Sequence, residues 1–280
     1  MLDSDDYDKI ADPVERVRRV NELIDQHQAA VSELSRVRRE LLEGLLASGW
    51  TQVKLAAALD MSRSRISQLL SAGVRPERAL LGTGPKLLVA IGGKYETGRR
   101  DNKPLAVVSE QALAAYDQLS SLARSLGLAT EYEVVPPPGM VQLNRDNLIV
   151  LTSPRLVPFV SLVLDADPHL GFSVDDLGWY LVDKTTGTEY RSPMEAGEPT
   201  DYAYIGRLPR PDGKGSFLYL AGIHGPGTAG AAHYIERNLA DLYREVKGRR
   251  WSVLISCNFD PKTKQITSAT PLTPIYRHEG

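Results

Sequence analysis

Apolar residues at Val17, Val20, Ile24, Val31, Leu34, Leu41 and Leu45 recur at steps of three and four, with no glycine or proline until Gly44. That spacing predicts one long amphipathic helix. Asp12 stands ready to accept from free amides as its N-cap, and Pro13 suits the first helical position. The stripe fits a heptad seam interrupted by His27 and Arg38. It is either one face packed on its own domain or a seam for a second copy. A helix this long in a small domain would struggle to hide its whole stripe, so the pattern leans towards a homodimer.

After Gly49 the pattern shortens. Trp50–Leu59 predicts a short helix capped by Thr51, with Val53, Leu55, Ala56 and Leu59 on its inner face. Asp60-Met61-Ser62 reads as a tight turn, and Arg63–Leu70 as a second short helix capped by Ser62 and anchored by Ile66, Leu69 and Leu70. Gly73 and Pro76 end it, and the stretch to Gly82, Gly84 and Pro85 reads as a linker. The expected division is a helical domain over 1–80 and a second domain over 85–280.

From Pro85 onward strand and helix patterns alternate. Strands are predicted over 86–91, 132–135, 147–151, 216–221, 251–257 and 265–270, those over 86–91 and 216–221 of the buried type. Helices are predicted over 109–126, from Pro154 to about Leu164, and over 228–246. Gly178–Val182 and Thr188–Tyr190 flank Lys184-Thr185-Thr186-Gly187, a hairpin signal. The expected fold class is therefore an α-helical N-terminal domain followed by an α/β domain. Its sheet is mixed and largely parallel, covered by helices in a Rossmann-like way, with hairpins at one edge.

Composition narrows the function classes. Net charge is −2, so contact with nucleic acid needs a local patch. One cysteine, Cys257, excludes an intrachain disulfide and a multi-thiolate zinc site. Five histidines leave little material for metal chemistry, and neither metal nor cofactor is expected. No apolar run approaches the ~20 residues needed to cross a bilayer. The acidic start MLDSDDYDK, read as frayed, is the reverse of a signal-peptide head, so the expected location is cytoplasmic, with no membrane partner.

The second short helix carries Arg63, Ser64, Arg65, Ser67 and Gln68, a donor-rich face without a carboxylate. Such a face suits a major groove, where Arg and Gln read guanine and adenine edges and the helix start meets a phosphate. Arg36, Arg38, Arg39, Lys54, Arg63, Arg65, Arg75 and Arg78 outnumber Glu40, Glu43, Asp60 and Glu77, a local balance of +4. Gly49-Trp50-Thr51-Gln52, Leu55-Ala56 and Leu59 through Gln68 resemble the helix-turn-helix of sigma-factor region 4 and of phage-repressor-type regulators. The resemblance covers roughly residues 38–72. It implies binding to double-stranded DNA through Thr51, Gln52, Ser62, Arg63, Ser64, Arg65, Ser67 and Gln68. Nothing resembles a promoter-melting region. The whole chain also looks like a group of bacterial proteins that join such a module to an α/β domain with the phrases Tyr204–Gly213 and Ala221-Gly222-Ile223-His224. That likeness carries no assigned activity and supplies no ligand.

In covered parallel sheets, ligands sit beyond the carboxyl ends of strands. Three loops there have suitable chemistry: Gly92-Gly93-Lys94, Thr152-Ser153-Pro154-Arg155, and the glycine-rich turn Gly222–Gly230. In the third, Gly225, Gly227 and Gly230 have G-x-G-x-x-G spacing between a strand and a helix, which lets a phosphate reach free amides; the alternative is a tight strand-to-helix turn. The candidate ligand contacts are Gly92, Gly93, Lys94, Thr152, Ser153, Arg155, His224, Gly225, Gly227 and Thr228. The absence of G-K-[ST] disfavours a nucleotide-hydrolysing P-loop, and the next strand lacks the acidic residue of a redox dinucleotide site.

Cys257 reads as core, Asp165, Asp167, Asp175 and Asp176 as solvated charges, and Arg207 with Arg210 as a basic hairpin or loop. The leading expectation is a homodimeric transcriptional regulator, without catalysis, that senses a small anionic or nucleotide-like effector and transmits its binding through residues 72–85. The alternatives are an enzyme acting on a nucleotide or sugar-phosphate while tethered to DNA, and a dimeric scaffold contacting the transcription machinery.

Overall fold

The computed structural model describes residues 10–71, 75–96 and 105–278. The acidic start over 1–9, Gly73, and residues 72–74 of the expected linker lie outside them. The chain divides into two compact units, Met1–Val74 and Arg75–Gly280. No described helix is long and apolar enough to cross a membrane.

The first unit is helical. Helix α1 spans Pro13–Ala47; Asp12 Oδ1 accepts the Val14 N–H at 2.9 Å, and Gly49, at φ +94°, turns the chain after its end. Helix α2 (Gln52–Ala58) is capped by Thr51, whose Oγ1 accepts from Lys54 N–H. Four residues later α3 (Arg63–Ser71) begins, and Ser62 Oγ accepts from Arg65 N–H. Leu42, Leu55, Ala56, Ile66 and Leu69 form the core, with Leu46 and Leu70 packed against them. Val53 and Leu59, expected inside, are exposed. A two-turn helix buries one narrow side, and α2 spends that side on Leu55 and Ala56.

The second unit is built on an eight-stranded sheet. Its strands are β1 (Lys86–Gly92), β4 (Ala129–Val135), β5 (Leu148–Leu151), β9 (Thr200–Pro209), β10 (Ser216–Gly222), β11 (Trp251–Phe259), β12 (Ile266–Pro271) and β13 (Tyr276–Arg277). The order is β12-β11-β9-β10-β5-β1-β4, with β13 also on β11. Pairs β4–β1, β1–β5 and β5–β10 are parallel; β10–β9, β9–β11 and β11–β12 are antiparallel. The sheet is thus mixed and only partly parallel. Helices α4 (Glu110–Ser125) and α6 (Gly225–Val246) cover one face, packing on Leu87, Val89 and Ile91 of β1. The other face, carrying Ala90, Leu148 and Val150, packs on α5 (Phe159–Leu164) and on a three-stranded sheet of β6 (Leu170–Asp175), β7 (Gly178–Asp183) and β8 (Thr188–Tyr190). A small pair, β2 (Lys94–Tyr95) and β3 (Ala106–Val107), completes the unit.

The basic hairpin expected at Arg207 and Arg210 is formed by β9 and β10: Arg207 lies within β9, its Nε donating to Ser216 Oγ at 2.8 Å and its Nη1 to Ala79 O at 3.0 Å. Arg210, just past the end of β9, does sit in the turn, paired with Asp146 and Asp212. Residues 75–85 are not a free linker. They include a 3-10 turn over Pro76–Leu80, Leu80 and Leu81 lie in the core, and Asn147 Oδ1 accepts from Thr83 N–H at 2.8 Å. The expected solvated aspartates also divide: Asp175 pairs with Arg191 on the surface, but Asp167 is fully buried.

Asp167 joins four segments. Its Oδ1 accepts from the N–H groups of His169 (2.8 Å) and Leu170 (3.1 Å), and its Oδ2 from Tyr204 O–H of β9 (2.7 Å). His278 Nε2 lies 3.3 Å from Oδ1 and 2.9 Å from Ser252 Oγ of β11. Burial pushes this carboxyl up, but the hydrogen bonds from His278, Ser252, Tyr204 and His169 outweigh it and bring its pKa down to about 2. A depressed carboxyl stabilises the fold above its unfolded value near ~3.9, and the contribution disappears as pH falls through about 2. Asp167→Asn should therefore cost about 2 kcal/mol at neutral pH. Denaturant unfolding between pH 5 and pH 2 should show a shallower acid loss in the variant than in the wild type; parallel curves would refute this role.

Candidate functional site

Two places concentrate the predicted residues, one in each unit. In the helical unit, Arg63, Ser64, Arg65, Ser67 and Gln68 are all exposed, while Ile66 and Leu69 between them are buried. The helical period does this: 66 and 69 share the inner face, and 63, 64, 67 and 68 fall around the rest. Arg65 Nη1 reaches Gln68 Oε1 at 3.5 Å, along the exposed side of α3. Thr51 and Ser62 spend their hydroxyls on capping, and Gln52, at the start of α2, is half-buried. The result is an outward face of guanidinium, amide and hydroxyl groups with no carboxylate on the helix.

In the α/β unit the geometry begins with topology. Strand β1 leads to α4 on one face and β5 leads to α5 on the other, so the loops leaving these neighbouring strands part. A crevice opens at such a switch point. Here it is a cleft of ≈ 210 Å³, into which β1, β5 and β10 deliver their carboxyl-end loops. Eight of the ten predicted contacts line it: Gly92, Lys94, Thr152, Ser153, Arg155, His224, Gly225 and Thr228. The start of α4 contributes Ser109, Gln111 and Ala112, which sequence reasoning did not assign. Ser109 was legible as a helix cap, and its Oγ accepts from Ala112 N–H at 3.2 Å; only the fold places that helix start over the cleft.

The remaining two glycines serve the fold. Gly93 donates its N–H to Val135 O across to β4. Gly227 donates to Asp201 Oδ2 at 2.7 Å, and His224 N–H reaches the same oxygen at 3.0 Å. Asp201 Oδ1 accepts from Ser192 O–H (2.6 Å) and Tyr202 N–H (2.9 Å). The start of α6, expected to meet a ligand phosphate, is thus already satisfied by a fully buried carboxylate from β9. Its glycine spacing is explained by packing. A Cβ on Gly227 would stand 2.5 Å from Tyr202 O and 2.7 Å from Asp201 Oδ2, and one on Gly230 2.5 Å from Cys257 Sγ. Gly92 obeys the same logic, since a side chain there would overlap Thr152 Oγ1.

The charge that remains open to the cleft is positive. Lys94 and Arg155 are both exposed at its rim. His224 Nε2 lies 3.1 Å from Glu195 Oε1, a pairing between the β10 loop and the segment before β9 that no sequence motif announced. The other polar cluster, Ser252, His278 and Asp167, is not a nucleophilic relay: Ser252 is fully buried, and Ser252 and Asp167 both approach the same ring nitrogen. Cys257 is core, as expected. Its thiol is pushed up to about 12, chiefly by burial. Among the described residues no group of three or more His, Cys, Asp or Glu is placed to hold a metal.

No protein-family model, no curated protein and no solved structure matches the chain.

The assignment of α6 to an internal carboxylate is testable. Asp201→Ala leaves the His224 and Gly227 amides without their acceptor and should lower stability by about 2–4 kcal/mol. Millimolar phosphate should raise the melting temperature of the variant by several degrees more than that of the wild type, because an anion can then take the vacated helix start. Equal responses would show that Asp201 does not fill an anion position.

Proposed function

We propose that the protein is a homodimeric DNA-binding transcriptional regulator whose α/β unit senses a small anionic ligand. The observation that carries the first half is the disposition of α3. Ile66 and Leu69 are buried with Leu70 packed beside them, and its arginines, glutamine and the serines at 64 and 67 face outward, as in the reading helix of a helix-turn-helix, with α2 and the end of α1 as supports. Arg63 and Arg65 supply guanine or phosphate contacts, and Gln68 suits adenine. Double-stranded DNA is the partner this face fits.

The second half rests on the cleft. Lys94 and Arg155 set its sign, and the hydroxyls of Thr152 and Ser153 with the amide of Gln111 supply polar contacts. At ≈ 210 Å³ it falls below the ~300–1,000 Å³ of drug-sized sites, which favours a single phosphate- or carboxylate-bearing metabolite over a dinucleotide. One observation favours the second reading, an enzyme acting on a nucleotide or sugar-phosphate. The Glu195–His224 pair at the cleft wall is the kind of carboxylate-oriented imidazole that serves as a general base. Stabilisation by a ligand without turnover of it supports sensing; a product supports the enzyme.

Two measurements test the proposal. With duplexes enriched from a random pool by the full-length protein, Arg63→Ala/Arg65→Ala should weaken retention in a gel-shift assay by about 100-fold or more, with an unchanged circular-dichroism spectrum. Undiminished retention would remove α3 from the interface. In a thermal-shift screen of inorganic phosphate, mononucleotides and sugar phosphates, an active compound should lose its effect in Lys94→Ala/Arg155→Ala. A shift that survives both substitutions would place the ligand elsewhere.

A further inference from the structure

Helix α1 is longer than its own unit can use. Leu42 is buried in the helical core and Leu46 packs beside it, but Val17, Ile24, Val31, Leu34 and Leu41 remain 45–68% exposed. With Val20 and Leu45 they occupy the two seam positions of consecutive heptads, Val17, Ile24, Val31, Arg38 and Leu45 in one series and Val20, His27, Leu34 and Leu41 in the other. Both polar members, Arg38 and His27, are exposed on that same face.

We infer that α1 pairs with α1 of a second copy in antiparallel orientation, in the register that sets Val31 against Leu34. This rests on the dimeric part of the proposed function and adds its geometry. In an antiparallel pair the two seam series face each other, so the register fixes every other layer. Ile24 meets Leu41, Val20 meets Leu45, and Arg38 meets His27, each twice by symmetry. Each apolar seam residue from Val20 to Leu45 then faces an apolar one, Val17 lies past the last layer opposite Ser48, and the two interruptions face one another, where an imidazole nitrogen accepts a hydrogen bond from the guanidinium. A parallel in-register pair would instead set Arg38 against Arg38 within the seam, a like-charge contact. The flank agrees, since Leu23, Ala30 and Val37 widen the apolar face on one side. The exposed seam of two helices amounts to on the order of 1,500 Å², within the ~1,200–2,000 Å² of stable interfaces. The two copies of Leu42, where each helical core attaches, then lie about 28 Å apart along the seam. That spacing approaches the ~34 Å between successive major-groove faces, so the register suits two half-sites about one turn apart.

The experiment measures the distance between spin labels on the full-length protein carrying Arg18→Cys. Arg18 is exposed and lies outside the seam, and the native thiol of Cys257 is buried and protonated, so wild-type protein serves as the unlabelled control. The antiparallel register predicts a separation of about 40–45 Å. A separation below about 25 Å would mean a parallel seam and overturn the inference, leaving the regulator reading in place. A monomeric mass by light scattering would overturn the inference and remove the homodimer from the proposed function, with DNA retention still to be judged by the gel shift. A second variant reads the register independently of the label. His27→Glu places a carboxylate opposite Arg38 in the antiparallel pair and opposite itself in a parallel one. The dimer dissociation constant should fall roughly fivefold, and a rise would refute the antiparallel register.

Discussion

A single carboxylate organises the carboxyl-end loops of the sheet beside the cleft. Asp201 sits fully buried at the start of β9 and accepts from the amides of His224, Gly227 and Tyr202 and from the Ser192 hydroxyl. The bonds tie the β10–α6 turn, of which His224 lines the cleft, to β9 and to Ser192 ahead of it. A buried charge is tolerated only when so satisfied, and the free amides of a 22-residue helix are a natural partner for it. The consequences spread outward. Gly227 must lack a side chain for the carboxylate to approach, Gly230 must lack one for α6 to lie against β11, and the β10–α6 turn is held shut. What stays open for a ligand is the other side of that turn, where Lys94, Arg155 and the start of α4 look into the switch-point crevice.

The two units divide the physics between them. The α/β unit hides its apolar residues on both faces of one sheet and spends polar groups on buried junctions, at Asp201 and again at Asp167. Among the described residues the helical unit has a core of five buried apolar side chains, and its longest helix carries most of its apolar stripe outside that core. A rigid sheet with a cleft at its carboxyl edge suits recognition of a small molecule. A small helical core with an outward cationic helix and an unpaired seam suits recognition of a large, symmetric partner. The regulator reading joins these two capacities.

Much of this was legible along the chain, because local rules operate where neighbours in sequence are neighbours in space. Asp12, Thr51, Ser62 and Ser109 were identifiable as caps, and each has its side-chain oxygen on an amide two or three residues on. The apolar runs in Lys86–Ile91, Leu148–Leu151 and Ser216–Ala221 marked strands, and the rule that ligands gather beyond such strands singled out the three loops that line one cleft. Strand β9 was not legible, because Gly206, Arg207 and Pro209 give it the composition of a turn. Its Gly206 is required by the Tyr204 ring two residues earlier, where a Cβ would meet the phenol oxygen, and its Arg207 is half-buried against Ser216 of β10 and Ala79. The Arg207 contacts come from segments distant in the chain, and no local pattern announces them.

Sequence alone determined most of the elements: three N-terminal helices, an alternating α/β remainder, a donor-rich face on α3 and a heptad stripe on α1. These follow from periodicity and capping, which act within a few residues. Only the tertiary structure decided the sign and size of the cleft. From the chain, the glycine turn reads as an anion seat and Asp167 as a solvated charge. In the fold, Asp201, some two dozen residues upstream of Gly227, occupies the helix start, and Asp167 is sealed beneath Tyr204 and His278. Whether a polar group is offered to a ligand or consumed inside depends on which distant carboxylate or hydroxyl the topology brings to it, and periodicity carries no record of that.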